Sequence, residues 1–168
     1  SMKKHLSKLL SFFLCMSFFV TISNKANAAE EIIPVNISVQ YGQTEARTIL
    51  NMINEMRTSD CDAWCWDETN TVQVSYLSAA LTYDYELEKL AMKRAAELVI
   101  RYDHTRPNNE GLSSIYKEEN ITDFQSAGEN IAIGYPSAQA VNTAWREDGE
   151  DYNGQGHRRN MLNPKFNC

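Results

Sequence analysis

Apolar residues recur at helical spacing in two stretches of the chain. From Glu45 to Arg57, Ala46, Ile49, Leu50, Met52, Ile53 and Met56 share one side of a helix, which predicts an amphipathic element with a wet face and a buried face. Asp84 is placed to cap a second helix, whose Leu87, Leu90, Ala91, Ala95, Leu98 and Val99 form a stripe ending near Tyr102. Between them, Thr58-Ser59-Asp60, the aromatic Trp64-Cys65-Trp66 and the apolar run from Val72 to Leu81 read as loop and short extended pieces. Pro107-Asn108-Asn109 and Gly111 mark a loop, and a polar, unpatterned segment continues to Ser126. The glycine-bounded stretch from Gly128 to Gly134 has a strand-like centre at Ile131–Ile133. Pro136-Ser137 opens a third helix, with Ala140, Val141, Ala144 and Trp145 inward, which fades at Gly149. A turn at Asn153-Gly154 and a short helical turn from Gly156 to Leu162 follow, before Pro164. Residues 29–44 have no sustained periodicity and read as a leader into the domain. With 168 residues, no internal repeat and 43% apolar composition, the chain holds one globular domain.

The first residues break this pattern. Lys3, Lys4 and Lys8 precede an apolar run from Leu9 to Ile22, and Ala26-Asn27-Ala28 follows. These are the charged, apolar and small-residue regions of a secretory signal peptide over residues 1–28, and the run is shorter than the roughly 20 residues of a membrane span. The expectation is a secreted, extracellular protein with no transmembrane anchor after cleavage. Four of the 16 basic residues lie in this leader, so twelve remain against 22 acids, a net charge of −10. Phosphate backbones are bound by basic surfaces, so this balance excludes nucleic acid as an expected partner.

Export also changes the reading of the cysteines, because disulfides persist outside the cytoplasm. Cys15 belongs to the leader, and Cys61, Cys65 and Cys168 remain. An odd count leaves one thiol free or paired between molecules. Cys61 and Cys65 form a local disulfide or stay as two thiols, and Cys168 is available to join two copies. A C-x-x-x-C pair with no second Cys/His pair nearby is weak ground for a zinc site.

Four motifs then occur in order: His104-Thr105-Arg106-Pro107 after the second helix, Ala127-Gly128-Glu129-Asn130-Ile131-Ala132, a helix bearing Trp145, and Gly156-His157-Arg158-Arg159-Asn160-Met161-Leu162. Together they resemble the CAP superfamily of cysteine-rich secretory, antigen-five and pathogenesis-related proteins, most closely its bacterial extracellular, SCP-like branch. The resemblance covers residues 45–168. It implies an α+β fold, an α/β/α sandwich in which helices cover a small antiparallel sheet. In that fold two further strands follow Phe166, so the domain is expected to be incomplete at its C-terminal end, with strand exchange between copies as a second route to a dimer.

The resemblance also implies a cleft of two histidines and two acids able to hold zinc or another divalent cation. Carried onto this sequence, these are His104, His157, Glu129 and, three residues beyond Trp145, Asp148. Glu147 and Glu150 are neighbouring substitutes for the last. Spacing alone does not bring His104 and His157 together, since only the fold can assemble residues so far apart. Imidazole and carboxylate suit such ions. Trp145 reads as core packing, Gly128 and Asn130 as shaping the backbone around Glu129, and Tyr102 and Tyr135 as edging the cleft. Arg158 and Arg159 either clamp an anion or pair with the acids from Glu147 to Asp151.

Two functions compete on these grounds. One is a secreted binding or interaction module for a peptide, lipid or cell-envelope component. The other is a metal-assisted hydrolase of peptide or envelope substrates, with Glu129 as general base. No nucleophile elbow and no helix-borne zincin pair is present, so binding ranks first.

Overall fold

A computed structural model describes Pro34, Asn36 and residues 38–168, so the expected leader peptide over residues 1–28 lies outside the described residues. Residues 37–168 form one compact unit. Helix α1 (Gln43–Arg57) starts two residues before the expected Glu45 and turns Met56 and Arg57 fully inward at its C-terminal end. There it packs against α4 (Ala138–Arg146). The extended pieces after α1 become a hairpin, β1 (Trp64–Trp66) and β2 (Gln73–Ser75), antiparallel with Cys65 opposite Val74. Its loop is closed by Asp67, whose carboxylate accepts the Thr71 and Val72 amides at 2.8 and 3.0 Å and the Thr69 hydroxyl at 2.6 Å. These donors favour the ionised acid and hold Asp67 at about 2.

Asp84 caps α2 (Tyr85–Ile100) as its position predicts, accepting the Leu87 amide at 2.9 Å. The buried row of α2 differs from the expected stripe. Leu90 is buried and Leu87 and Leu98 are half-buried, whereas Ala91 and Ala95 are exposed at the wall of an open hollow, Val99 is exposed, and the buried row continues through Arg94 and Glu97. Both patterns satisfy helical spacing, and the ion pairs made by Arg94 decide between them. Helix α3 (Ser113–Glu118) covers this face with Ile115 and Tyr116, and α5 (Gly156–Met161) lies beside α4. Two apolar clusters result: Met56, Ala63, Cys65, Met161 and Leu162, joined by Trp145, and Leu90, Ile115 and Tyr116.

The chain thus has an α+β fold with a small antiparallel sheet. The expected strand at Ile131–Ile133 is not formed. Among the described residues, no backbone–backbone hydrogen bond ties residues 122–136 to any neighbour, so the alternating pattern there has no ladder partner. Side chains hold the segment instead. Asn130 donates to the His157 carbonyl at 3.2 Å and accepts from Asn160 at 2.8 Å, while the Trp145 indole donates to the Ile131 carbonyl at 3.3 Å. Gly128 is required by this arrangement, because a Cβ there would stand 2.1 Å from Asn160 Oδ1.

Of the two alternatives for Cys61 and Cys65, the fold has the two thiols and no disulfide between them. Cys61 and Cys168 are exposed free thiols, and Cys65 is a buried one whose burial pushes its ionisation up.

A buried ion network sets the acid limit of the fold. The Arg106 guanidinium reaches Glu97 at 2.6 Å and Glu118 at 2.8 Å. Arg106 and Lys93 hold Glu118 at about 2. Burial works to raise Glu97, but the Arg106 and Arg94 hydrogen bonds outweigh it and hold that carboxyl below its usual range. A carboxylate depressed in the folded state adds stability that is complete above its unfolded value, near 4.3, and is lost as pH falls through the folded value. The urea midpoint should therefore stay level from pH 7 to about 5 and fall between roughly 4.5 and 2. A midpoint unchanged across that lower interval would show that these pairs contribute nothing net.

Candidate functional site

Two imidazole–carboxylate pairs meet at one open cleft of about 450 Å³. His104 follows α2, and its Nδ1 lies 3.0 Å from Glu129 Oε1. His157 is the second residue of α5, and its Nδ1 lies 2.5 Å from Glu147 Oε1. An ionised carboxylate only accepts, so Nδ1 carries the proton, and in the neutral imidazole Nε2 then has the free lone pair. Both rings line the cleft, together with Tyr102, Tyr135, Trp145 and Glu150. Trp145 stacks on His157 with ring centres 6.3 Å apart while its other side joins the core, so packing and cleft lining are one position.

The acids do not occupy equivalent positions. Glu129 sits behind His104 and lines an apolar hollow of about 390 Å³ with Leu87, Leu90 and Ile115. Both of its oxygens are taken by Arg94, through Nε at 2.7 Å and Nη2 at 3.1 Å. Arg94 is 4% exposed, and it also bonds Glu97 and the Asp103 carbonyl. The hydrogen bond to Glu129 is the main cause that raises the Arg94 guanidinium, against desolvation. This buried arginine was not among the residues that spacing singled out, because it sits within a helix stripe that reads as apolar.

Asp148, the residue aligned as the second acid, points elsewhere. Its oxygens bind Arg146 Nε at 2.8 Å and Arg158 Nη1 at 2.5 Å, and it lines a separate hollow between α1 and α4. Glu147 takes the place beside His157. Helix α4 ends at Arg146, and Glu147 adopts a left-handed conformation, φ 49° and ψ 38°, that redirects the chain. Its second oxygen accepts the Arg158 amide at 3.2 Å. Of the acids named for this place, Glu147, the substitute, is therefore the one the fold sets beside His157, and Asp148 faces α1.

Of the two arginines, Arg158 clamps no ligand. It is fully buried, donating to Asp148 and to the carbonyls of Trp64, Arg146 and Asp62, with its guanidinium 4.3 Å from the centre of the Trp64 ring. Arg159 lies over Tyr152 at 4.3 Å and donates to its carbonyl. Among the described residues, no group of three or more His, Cys, Asp or Glu side chains is disposed around one point as a metal cage would be.

The four motifs, their order and this cleft fit the match to a family model. Residues 50–167 match the model of the cysteine-rich secretory protein family, CAP. The chain belongs to the CAP family. Two proteins of Bacillus subtilis strain 168 are similar to it. "Uncharacterized protein YkwD" is 33% identical over 88 residues, which is 51% of this chain and 32% of the relative. "Uncharacterized membrane protein YlbC" is 28% identical over 102 residues, 60% of this chain and 28% of the relative. The chain thus spans about a third of the length of these curated relatives. No solved structure gives a significant match. Among the described residues of this CAP chain, no helix is long and apolar enough to cross a membrane.

Proposed function

We propose that this CAP domain is a secreted binding module whose cleft holds a divalent cation between His104 and His157 and presents it to a peptide, lipid or cell-envelope ligand. The observation that carries this reading is the paired geometry. Each imidazole is fixed through Nδ1 by a carboxylate, which leaves Nε2 as a donor atom at one shared cleft. Metal-binding histidines are oriented by outer carboxylates in this manner. The donor set fits an ion such as zinc through two nitrogens, with Glu129 and Glu147 as orienting partners. The remaining coordination positions would fall to solvent or ligand. Export is supported by the leader-like residues 1–28 and by CAP membership.

The hydrolase alternative asks Glu129 to act as general base, and it has less support. Arg94 and His104 already place three hydrogen bonds on the Glu129 carboxylate, and donors to the ionised form disfavour proton uptake. A cleft that binds and presents is the reading this geometry supports best.

Calorimetric titration with zinc at neutral pH tests it. Replacing either histidine with alanine should weaken binding more than about tenfold, and Glu147→Gln by about tenfold or more through the lost orientation. Asp148→Ala should leave affinity unchanged. Protons compete for the same nitrogens, so affinity should fall on acidification. Equal zinc binding by wild type and the His104→Ala, His157→Ala double variant would remove the metal from this cleft.

A further inference from the structure

The two imidazoles of the cleft stand on parts of the chain that pack into different clusters. His104 follows α2, which shares its buried cluster with α3 through Leu90, Ile115 and Tyr116. His157 belongs to α5, whose Met161 joins Met56, Ala63 and Cys65 in the other cluster. Glu129 and Glu147 orient one ring each. Neither bond sets the distance between the rings, yet two nitrogens that share one cation must be placed to within about 0.5 Å.

Residues 126–133 bridge the two parts. They run without a turn or bend, and among the described residues no backbone–backbone hydrogen bond anchors them. On one side Gly128, Glu129 and Ile131 wall the apolar hollow of about 390 Å³, so close packing does not fix the segment from there. On the other side the Asn130 amide is bonded at both ends. Its Nδ2 donates to the His157 carbonyl at 3.2 Å, and its Oδ1 accepts from Asn160 Nδ2 at 2.8 Å. Asn160 lies on α5 with His157, so one side chain grips that helix twice, once at the main chain of the histidine itself. Gly128 permits the close approach, since a Cβ there would stand 2.1 Å from Asn160 Oδ1. The Trp145 bond to the Ile131 carbonyl is longer, at 3.3 Å, and leads to α4. A continuous path therefore runs from the His157 carbonyl through the Asn130 amide to the next residue, Glu129, and from its carboxylate to His104 Nδ1. Neither asparagine lines the cleft.

We propose that Asn130 and Asn160 are positioning residues, a clasp that sets the separation of His104 and His157 and so lets their Nε2 atoms share one cation. This rests on the cleft being the cation site, as proposed above, and adds the residues that hold its two sides in register.

The full chain is titrated with zinc by calorimetry at neutral pH. Asn160→Leu keeps the side chain close to its size and removes the bond to Asn130, and affinity should fall about tenfold. Asn130→Ala should cost at least as much. The double variant should bind no more weakly than Asn130→Ala alone, because the two amides act as one unit. Arg47→Met breaks the Arg47–Glu88 bridge between α1 and α2, which does not touch the cleft, and should leave zinc affinity at the wild-type value. That control separates lost register from general loosening. Unchanged affinity in Asn160→Leu, or losses that add in the double variant, overturn the inference.

A metal-free measurement keeps the two proposals apart. In ¹⁵N relaxation dispersion, Asn160→Leu should show exchange broadening at residues 127–133 that wild type and Arg47→Met lack. Where wild type binds zinc, affinity decides, and a variant that binds as well as wild type removes the clasp alone. Where wild type binds none, the metal is removed and broadening decides: its presence in Asn160→Leu supports the clasp, and its absence removes that too.

Discussion

Arg158→Ala should be the most damaging single substitution in this domain, with a loss of about 3–5 kcal/mol, the scale for removing one partner of a buried charged network. The side chain is wholly buried and joins three parts of the chain. Its donors reach the Trp64 and Asp62 carbonyls at the hairpin, the Arg146 carbonyl at the end of α4, and the Asp148 carboxylate. Truncation strands three carbonyls and removes one of the two cations that serve Asp148. It also opens a space against the Trp64 ring. Arg158→Lys keeps the charge but not the planar fork, so it should recover only part of the loss. Urea unfolding of the three proteins reads this directly, and an alanine variant within about 1 kcal/mol of wild type would contradict the network's role. The consequence reaches the cleft, because the Arg158 amide is one of the two groups that hold Glu147.

That link shows what local pattern reveals about this chain and what it hides. Helix α1 and the caps at Asp84 and Ser137 follow from periodicity and from short polar side chains, since those signals act within a few residues. The family motifs likewise place His104 and His157, because motif order survives where spacing in space is unknown. Alternation at Ile131–Ile133 predicts a strand that does not form, because alternation describes one strand, whereas a ladder requires a partner. In this molecule the segment is bonded through the side chains of Asn130, Asn160 and Trp145. The choice among Asp148, Glu147 and Glu150 is not legible in the sequence, because it turns on one residue in the left-handed region, Glu147, that ends α4. A non-glycine residue in that conformation leaves no mark in hydrophobic pattern.

Buried arginines are the other blind spot. Arg57 is 1% exposed and has no carboxylate partner among the described residues. It donates to the carbonyls of Ala79, Met161, Asn163 and Phe166. Burial alone lowers its ionisation. On a helical wheel such a residue looks like the wet edge of an amphipathic helix. In the fold it ties α1 to the segment that follows α5. Only long-range contacts distinguish the two, and here they are more than 100 residues apart in the chain.

Arg94→Met should couple stability and site in one substitution. Methionine keeps much of the length and removes the charge, leaving Glu129 and Glu97 as half-covered carboxylates that have lost a guanidinium. Glu97 retains Arg106, but Glu129 retains only His104. Removing one partner of a buried pair costs about 3–5 kcal/mol because the other charge stays behind. The double variant Arg94→Met, Glu129→Leu should regain a large share of that loss, since it removes both charges together. Its site should nonetheless stay impaired, because His104 no longer has a carboxylate at Nδ1 to set its tautomer. Zinc affinity, measured at a temperature where all variants remain folded, should fall about tenfold or more in both variants. Stability regained without affinity would assign Arg94 and Glu129 to positioning His104. Affinity that tracks stability through the double variant would reduce the pair to a structural ion bridge.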